Sequence, residues 1–185
     1  MLNSFIGKIP NAEGSLPRLQ VLQLWSNQLS GEIPNYLGTQ SDLTILDLSM
    51  NNLSGKILDE LYHSGHLVTL GNDEGIVELD MFSNLSNLRF LDLSYNGVSV
   101  SSSINSSYTW PNLQYLSLAS CSLNEFPRFL KGSKHLMSLD LSDNKIHGQN
   151  HKWILNKGLD TLSYLNLSHN FLTYIERLPW ENENT

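Results

Sequence analysis

One leucine pattern recurs along the chain at near-regular intervals, and it limits the possible folds more than any other feature of the sequence. The pattern L-x-x-L-x-L-x-x-N occurs at 19–27, 43–51, 88–96, 136–144 and 162–170, and the segment 113–121 fits it with Cys in place of Asn. A further leading leucine, Leu67, brings the spacings between leading leucines to 21–26 residues. Repeats of this period stack into a solenoid, because one repeat cannot bury its own apolar side chains.

The pattern is the leucine-rich-repeat signature, and its L-x-L centre has the alternation of a short β-strand. We therefore predict that residues 1–185 form one α/β leucine-rich-repeat solenoid, curved and uncapped, with short parallel strands on the concave side. Loops and 3₁₀ or short helical turns form the convex side, with helical turns expected at 82–88 and 152–159. The last position of the pattern predicts a structural ladder, in which a polar side chain at each bend bonds buried backbone groups of its own and the next coil. Its members are Asn27, Asn51, Asn96, Cys121, Asn144 and Asn170.

Composition narrows the class of partner. The net charge is −7 and no block of Lys or Arg is present, which argues against nucleic acid or anionic lipid as a partner. The longest apolar runs are too short for a transmembrane helix, and the segment after Met1 lacks the features of a signal peptide. A single cysteine excludes an internal disulfide. Four N-x-S sequons nevertheless indicate a secreted history: Asn52, Asn84, Asn105 and Asn166.

Local motifs point to one group of proteins. The segments "FIGKIP" (5–10), "LSGEIP" (29–34) and "LSGKI" (53–57) resemble plant-type leucine-rich repeats. Residues 1–70 resemble the ectodomains of plant receptor kinases that perceive peptide signals. Residues from 76 onward, with "LQYLSLASCSLNEFPRFL" (113–130), resemble plant receptor-like proteins of the disease-resistance type. Between 1–70 and 88–185 we expect an irregular junction repeat at 71–87, where "GNDEG" (71–75) breaks the pattern. The break is a natural or engineered fusion, a mis-joined exon, or ordinary repeat degeneration.

The resemblance implies a non-catalytic segment of a plant cell-surface receptor, on the extracellular face of the plasma membrane, that perceives a defence or developmental signal. Its expected partners are a protein or peptide ligand and a co-receptor. Two alternatives stay open: a soluble inhibitor of microbial wall-degrading enzymes, and a gene fragment or engineered fusion without independent activity. The cysteine-paired caps, membrane span and kinase of the family are missing from the sequence. We therefore expect an internal slice of an ectodomain, with core leucines open at both ends and a tendency to self-associate.

The predicted strands also assign a concave face. Its candidate ligand-binding residues are exposed aromatics and acids at the x positions: Trp25, Phe90, Tyr95, Tyr115, Tyr164, Asp92 and Asp140. Aromatic side chains are effective interface anchors. The alternative for the aspartates is a solvated polar surface common to such repeats. Related receptor kinases use an arginine pair to hold a peptide carboxylate, and these positions contain none, since the only strand arginine is Arg89.

No motif of an enzyme stands out from the repeat pattern, and we expect no cofactor and no metal site. His147 and His151 have i, i+4 spacing, which suits a metal only on a helix, and the pattern places them in a loop.

Overall fold

The computed structural model describes residues 3–11, 15–54, 76–101, 109–148 and 161–173. The predictions for Asn105, His151, Leu67 itself and the helical turn at 152–159 fall outside these ranges. The described strands are β1 (Ile6–Gly7), β2 (Val21–Gln23), β3 (Gln28–Glu32), β4 (Ile45–Asp47), β5 (Asn52–Ser54), β6 (Ile76–Glu78), β7 (Phe90–Asp92), β8 (Ser99–Ser101), β9 (Tyr115–Ser117), β10 (Ser138–Asp140), β11 (His147–Gly148), β12 (Tyr164–Asn166) and β13 (Phe171–Leu172).

Six of these strands form one parallel sheet, in the order β2-β4-β7-β9-β10-β12. Its register aligns Val21, Ile45, Phe90, Tyr115, Ser138 and Tyr164 in one row. Leu22, Leu46, Leu91, Leu116, Leu139 and Leu165 form the next row. This arrangement confirms the predicted solenoid and the predicted concave strands.

Shorter parallel pairings lie outside this sheet, in β1-β3-β5, β6-β8 and β11-β13. Three 3₁₀ helices follow in the described part of the chain: η1 (Asn35–Thr39), η2 (Leu79–Phe82) and η3 (Arg128–Gly132). The helical turn predicted at 82–88 is displaced, because η2 ends at Phe82. Neither η1 nor η3 was predicted, since segments of this length are too short to show a helical period.

The coil count differs from the sequence prediction at one place. Strand β4 pairs directly with β7, with Ile45 opposite Phe90, so no strand lies between them. The prediction that Leu67 begins a coil between those of Leu43 and Leu88 is therefore wrong for the concave sheet. In the sequence, Asn72 and Gly75 stand where the repeat pattern calls for an inward apolar residue and a bend Asn. Strand β6 and helix η2 instead complete the convex side of the coil that begins at Leu43, because η2 packs on η1 and β6 pairs with β8.

The leucines form one continuous interior. The inward leucines of the central coils, such as Leu46, Leu91 and Leu139, are fully buried. In the first and last coils of the sheet the corresponding side chains are only partly buried: Leu19, Leu22, Leu24, Leu162, Leu165 and Leu167. Full burial of a leucine thus requires a neighbouring coil on both sides. The self-association expected from the open ends stays a prediction.

The bend asparagines bond their own coil and the coil before it, not the coil after it. In Asn144, Nδ2 donates to the carbonyls of Leu118 (2.8 Å), Leu141 (3.0 Å) and Ser142 (2.9 Å). Its Oδ1 accepts from the backbone N–H groups of Cys121 (3.1 Å) and Leu123 (2.9 Å). One buried amide therefore satisfies five backbone groups in two coils. Asn51, Asn96 and Asn170 repeat the arrangement.

Convex packing depends on a glycine. A Cβ atom built on Gly38 in η1 would lie 1.8 Å from the carbonyl oxygen of Met81 in η2. Backbone atoms cannot yield as a flexible side chain does, so only glycine permits this approach of the two helices.

We expect Asn144→Ala to lower the free energy of unfolding by at least about 3 kcal/mol, because it leaves several buried backbone groups unpaired. Urea unfolding followed by circular dichroism measures the change. The control is Asn124→Ala, which removes an exposed side chain of the preceding coil and should cost less than about 0.5 kcal/mol. Equal losses in the two variants would contradict the assignment.

We expect Gly38→Ala to lower the free energy of unfolding by about 1–3 kcal/mol, since η1 and η2 must separate to admit the methyl group. Asn35→Ala, at the exposed first residue of η1, serves as the control in the same assay. Unchanged stability of Gly38→Ala would mean that the two helices are not packed as described.

Candidate functional site

The row beginning at Val21 gives the concave face an exposed apolar stripe, formed by Val21, Ile45, Phe90, Tyr115 and Tyr164 and interrupted by Ser138. Val21, Tyr115 and Tyr164 expose 46%, 40% and 51% of their surface, and Ile45 and Phe90 are half-buried. The rings of Phe90 and Tyr115 lie side by side, with centroids 6.0 Å apart. Parallel pairing of adjacent strands, which places the side chains of one row next to each other, creates this stripe.

A polar row runs parallel to the stripe, two residues further along each strand. This acid row consists of Gln23, Asp47, Asp92, Ser117, Asp140 and Asn166. In Asp140, Oδ1 accepts from the backbone N–H (2.9 Å) and the hydroxyl (2.6 Å) of Ser142. Asp47 with Ser49, and Asp92 with Ser94, form the same pair of bonds. The recurrent "DLS" of the sequence is therefore a local hydrogen-bonded turn at the ends of β4, β7 and β10.

Asn166 makes the same turn without a charge. Its Oδ1 accepts from the backbone N–H (3.2 Å) and the hydroxyl (2.8 Å) of Ser168. Its Nδ2 donates to Oδ2 of Asp140 at 3.0 Å. The turn thus forms with either aspartate or asparagine, and asparagine occupies this position in the last coil of the sheet.

Within the acid row, the surroundings of Asp92 are unfavourable for its ionised carboxylate. Burial raises the pKa of Asp92 above its usual range, against the hydrogen bonds from Ser94, which lower it. Repulsion from Asp47 and Asp140 adds to the rise in that pKa. Asp47 itself exposes only 8% of its surface.

A third row forms the rim of the concave face, where each chain segment leaves the sheet. Its members have left-handed backbone conformations with φ between 53° and 55°: Ser26, Met50, Tyr95, Ser120, Asp143 and His169. The hydroxyl of Tyr95 donates to Oδ2 of Asp143 at 3.0 Å, reaching past the coil of Ser120, and this bond raises the pKa of Tyr95. Nδ1 of His169 lies 3.9 Å from Oδ1 of Asp143.

The structure brings some of the predicted ligand-binding residues together and separates others. Phe90 and Tyr115 are in contact, and Asp92 lies on the same strand as Phe90. Tyr164 lies two strands from Tyr115, and Ser117 separates Asp92 from Asp140. Trp25 is 48% exposed and follows β2, at the opposite end of the sheet from Tyr164.

The sequence-based choice of candidates left out four concave residues with equal claims. Val21 and Ile45 belong to the apolar stripe, Asp47 belongs to the acid row, and Met50 is 55% exposed on the rim. Membership of the same rows was the available signal, because the register follows from the repeat pattern.

The sequons differ in accessibility. Asn52 and Asn84 have exposed side chains away from the concave sheet. Asn166 is half-buried on β12, and the nitrogen that would carry a glycan is bonded to Asp140. Use of any sequon stays a prediction.

The side chains of Cys121 and His147 both pack against neighbouring parts of the fold. Cys121 is fully buried, its Sγ lies 3.6 Å from the carbonyl oxygens of Leu93 and Ala119, and burial raises the pKa of the thiol far above its usual range. Such a thiol supplies no thiolate nucleophile. The ring of His147 stacks on Phe171, with centroids 4.9 Å apart. Within the described ranges, no three His, Cys, Asp or Glu side chains are grouped to hold a metal ion.

Comparison with protein families agrees with the stacked coils. The Leucine Rich Repeat profile matches residues 18–39, 42–64 and 112–133, and a second Leucine Rich repeat profile matches 84–101 and 132–149. Together the matches cover more than half of the chain. The chain belongs to the leucine-rich-repeat family.

Among individual proteins, the chain is homologous to plant receptor-like proteins. Receptor-like protein 47 of Arabidopsis thaliana is 42% identical over 95 residues, which are 51% of this chain and 11% of that protein. Receptor like protein 23 of the same plant is 38% identical over 97 residues, 52% of this chain and 11% of that protein. The chain thus spans about a tenth of the length of these relatives.

Solved ectodomains have the same fold. The ectodomain of the Arabidopsis thaliana receptor kinase GASSHO1/SCHENGEN3, in complex with CASPARIAN STRIP INTEGRITY FACTOR 2, matches with a TM-score of 0.68 and 26% identity over 92% of this chain and 18% of that one. The Arabidopsis receptor kinase HAESA, in complex with the peptide hormone IDA and the co-receptor SERK1, matches with a TM-score of 0.69 and 28% identity over 92% of this chain and 25% of that one. The division of this chain into kinase-like and receptor-like-protein parts stays a prediction.

None of the helices in the described ranges has the length and apolar character needed to cross a membrane.

We expect Asp92→Asn to raise the melting temperature at pH 7. The folded-state pKa of Asp92 lies above its unfolded value, so the ionised carboxylate destabilises the folded chain at neutral pH. This effect disappears as the pH falls through that pKa, and below about pH 4 the variant and the parent should melt alike. Melting curves across this pH range measure the difference. A variant that is less stable at pH 7 and equally so in acid would contradict the expectation.

With a secretion signal added and expression in plant cells, we expect Asn84→Gln to remove one glycan and Asn166→Gln to remove none. Asn84 is exposed, whereas Nδ2 of Asn166 is held by Asp140 on the sheet. Intact mass before and after enzymatic deglycosylation measures both variants. A glycan on Asn166 would show that the concave face is not kept free.

Proposed function

We propose that this chain is a non-catalytic, ligand-binding segment of a plant cell-surface receptor, and that it binds a protein or peptide with its concave face. It works on the extracellular side of the plasma membrane, in the perception of a defence or developmental signal. The observation that carries the proposal is the exposed apolar stripe beside the acid row.

The stripe has no role in the leucine core. Its side chains point away from the buried leucine rows, so their exposure brings the fold no apolar burial. Contiguous exposed apolar surface on a soluble domain marks a site of interaction. Phe90, Tyr115 and Tyr164 are rigid aromatics with few rotatable bonds, and such side chains carry much of the binding energy at protein interfaces.

The dimensions of the sheet suit an extended segment. Parallel strands lie about 4.8 Å apart, so the stripe from β2 to β12 is roughly 24 Å long. An extended peptide rises about 3.3 Å per residue, and seven or eight residues therefore cover the stripe.

The comparisons support the same class of ligand. The curated relatives bear the names of receptor-like proteins, and the solved ectodomains of GASSHO1/SCHENGEN3 and HAESA hold peptide or protein factors, HAESA together with SERK1. We extend a peptide ligand and a co-receptor to this chain as part of the proposal.

We expect the chain to recover binders from a random-sequence peptide library displayed on phage, and Tyr115→Ala to weaken these binders by about tenfold or more, because it removes an aromatic anchor. The matched control is Phe5→Ala, which removes an aromatic that is 51% exposed and lies outside the six-stranded sheet. Isothermal titration of the recovered peptides compares the variants.

Binders that lose affinity with Phe5→Ala and not with Tyr115→Ala would place the site elsewhere. Failure to recover any peptide would count against the proposed function.

A further inference from the structure

We propose that the ligand of the concave face is an extended basic segment, whose apolar side chains contact the apolar stripe and whose Lys or Arg side chains pair with Asp47, Asp92 and Asp140. The inference rests on the proposed function and specifies the chemistry of its ligand.

The charge of these three aspartates is not required by the fold. Each Oδ1 closes a turn with the serine two residues later, and Asn166 closes the same turn with Ser168 through an amide oxygen. Gln23 and Ser117 occupy the row in the remaining coils. The fold therefore accepts uncharged polar residues in this row, and it does not require the negative charge of Asp47, Asp92 and Asp140.

That charge is also uncompensated within the part of the chain that the structure describes. The second carboxylate oxygens of Asp47 and Asp92 accept no hydrogen bond there, and Oδ2 of Asp140 accepts one from a neutral amide. The nearby contact between His169 and Asp143 lies on the rim and does not involve these three aspartates. Arg89 is exposed and comes directly before Phe90, so the stripe separates it from the acid row by position.

The partial burial of Asp47 and Asp92 favours a cationic group of the ligand at these carboxylates. Asp47 exposes 8% of its surface, and desolvation raises the pKa of Asp92, so both carboxylates lie in a less polar setting than bulk water. A charged pair formed there is stronger than a fully exposed pair, and an anionic ligand is repelled. The net charge of −7 acts in the same direction over a longer range.

The spacing of the carboxylates favours an extended ligand over a single cation. Asp47 and Asp92 lie on adjacent strands, about 4.8 Å apart, and Asp140 lies two strands beyond Asp92, about 10 Å away. A chain lying across the strands between the two rows can direct apolar side chains to the stripe and basic side chains to the acids. Two cationic residues about three positions apart span Asp92 and Asp140 in an extended backbone.

The experiment uses the full chain and the same random-sequence peptide library. We expect the recovered peptides to be enriched in Lys and Arg over the input library, and their affinity to fall as salt rises. The double variant Asp47→Asn with Asp92→Asn should weaken them by about tenfold or more, because both turns keep their acceptor while the charge is lost. The control is Asp42→Asn with Glu32→Gln, which removes two exposed carboxylates outside the six-stranded sheet and should change affinity by less than about twofold.

Melting curves of both double variants verify that each is folded. Binders that depend on Tyr115, lack enrichment in basic residues and bind the Asp47→Asn, Asp92→Asn variant as tightly as the parent would overturn this inference and leave the proposed function standing. Equal losses in the two double variants would show a long-range charge effect and would also overturn it. If the library yields no binder, the proposed function fails and this inference fails with it.

Discussion

The contact of leucine with leucine across neighbouring coils is the interaction on which the remaining structure depends. No coil has an interior of its own, so its side chains become buried only when the next coil brings the same positions to the same height. That requirement fixes the register of the sheet, with Leu46 beside Leu91 and Leu91 beside Leu116. The register then fixes the spacing of everything on the concave face, including the apolar stripe and the acid row. Bend amides such as Asn144 complete the arrangement, because they satisfy backbone groups that the stacked leucines remove from water.

Repetition explains why the sequence predicted so much of this fold. Six copies of one pattern average out local ambiguity, and the rows of Val21 and Gln23 follow from counting residues after each leading leucine. Counting failed at Leu67, because β4 pairs directly with β7 and leaves no place between them for another strand of the sheet. The sequence also could not reveal that the amide of Asn144 bonds the coil before it, or that Gly38 lies against Met81, since both depend on the handedness and stacking of complete coils.

The acid row unites two interpretations that the sequence presents as alternatives. Its aspartates are structural, since each closes a turn with serine, and they are also partly desolvated and lack a cation among their described neighbours. Asn166 separates the two roles, because it keeps the turn and omits the charge. A repeat protein contains such internal comparisons wherever one coil departs from the others, and each of them tests which property of a residue the fold requires.

The residues of the rim have a backbone conformation that lowers the stability of the fold. A left-handed backbone costs an ordinary residue roughly 1–2 kcal/mol, and glycine or asparagine relieves that cost. None of Ser26, Met50, Tyr95, Ser120, Asp143 and His169 is either of these, although the chain uses glycine at Gly31 with φ of 79°. Met50 and Tyr95 are bulky, half-exposed side chains held in this conformation. A designer seeking a more stable scaffold would begin with this row, and the same six positions offer natural variation a means of altering the edge of the concavity while leaving its leucine spine intact.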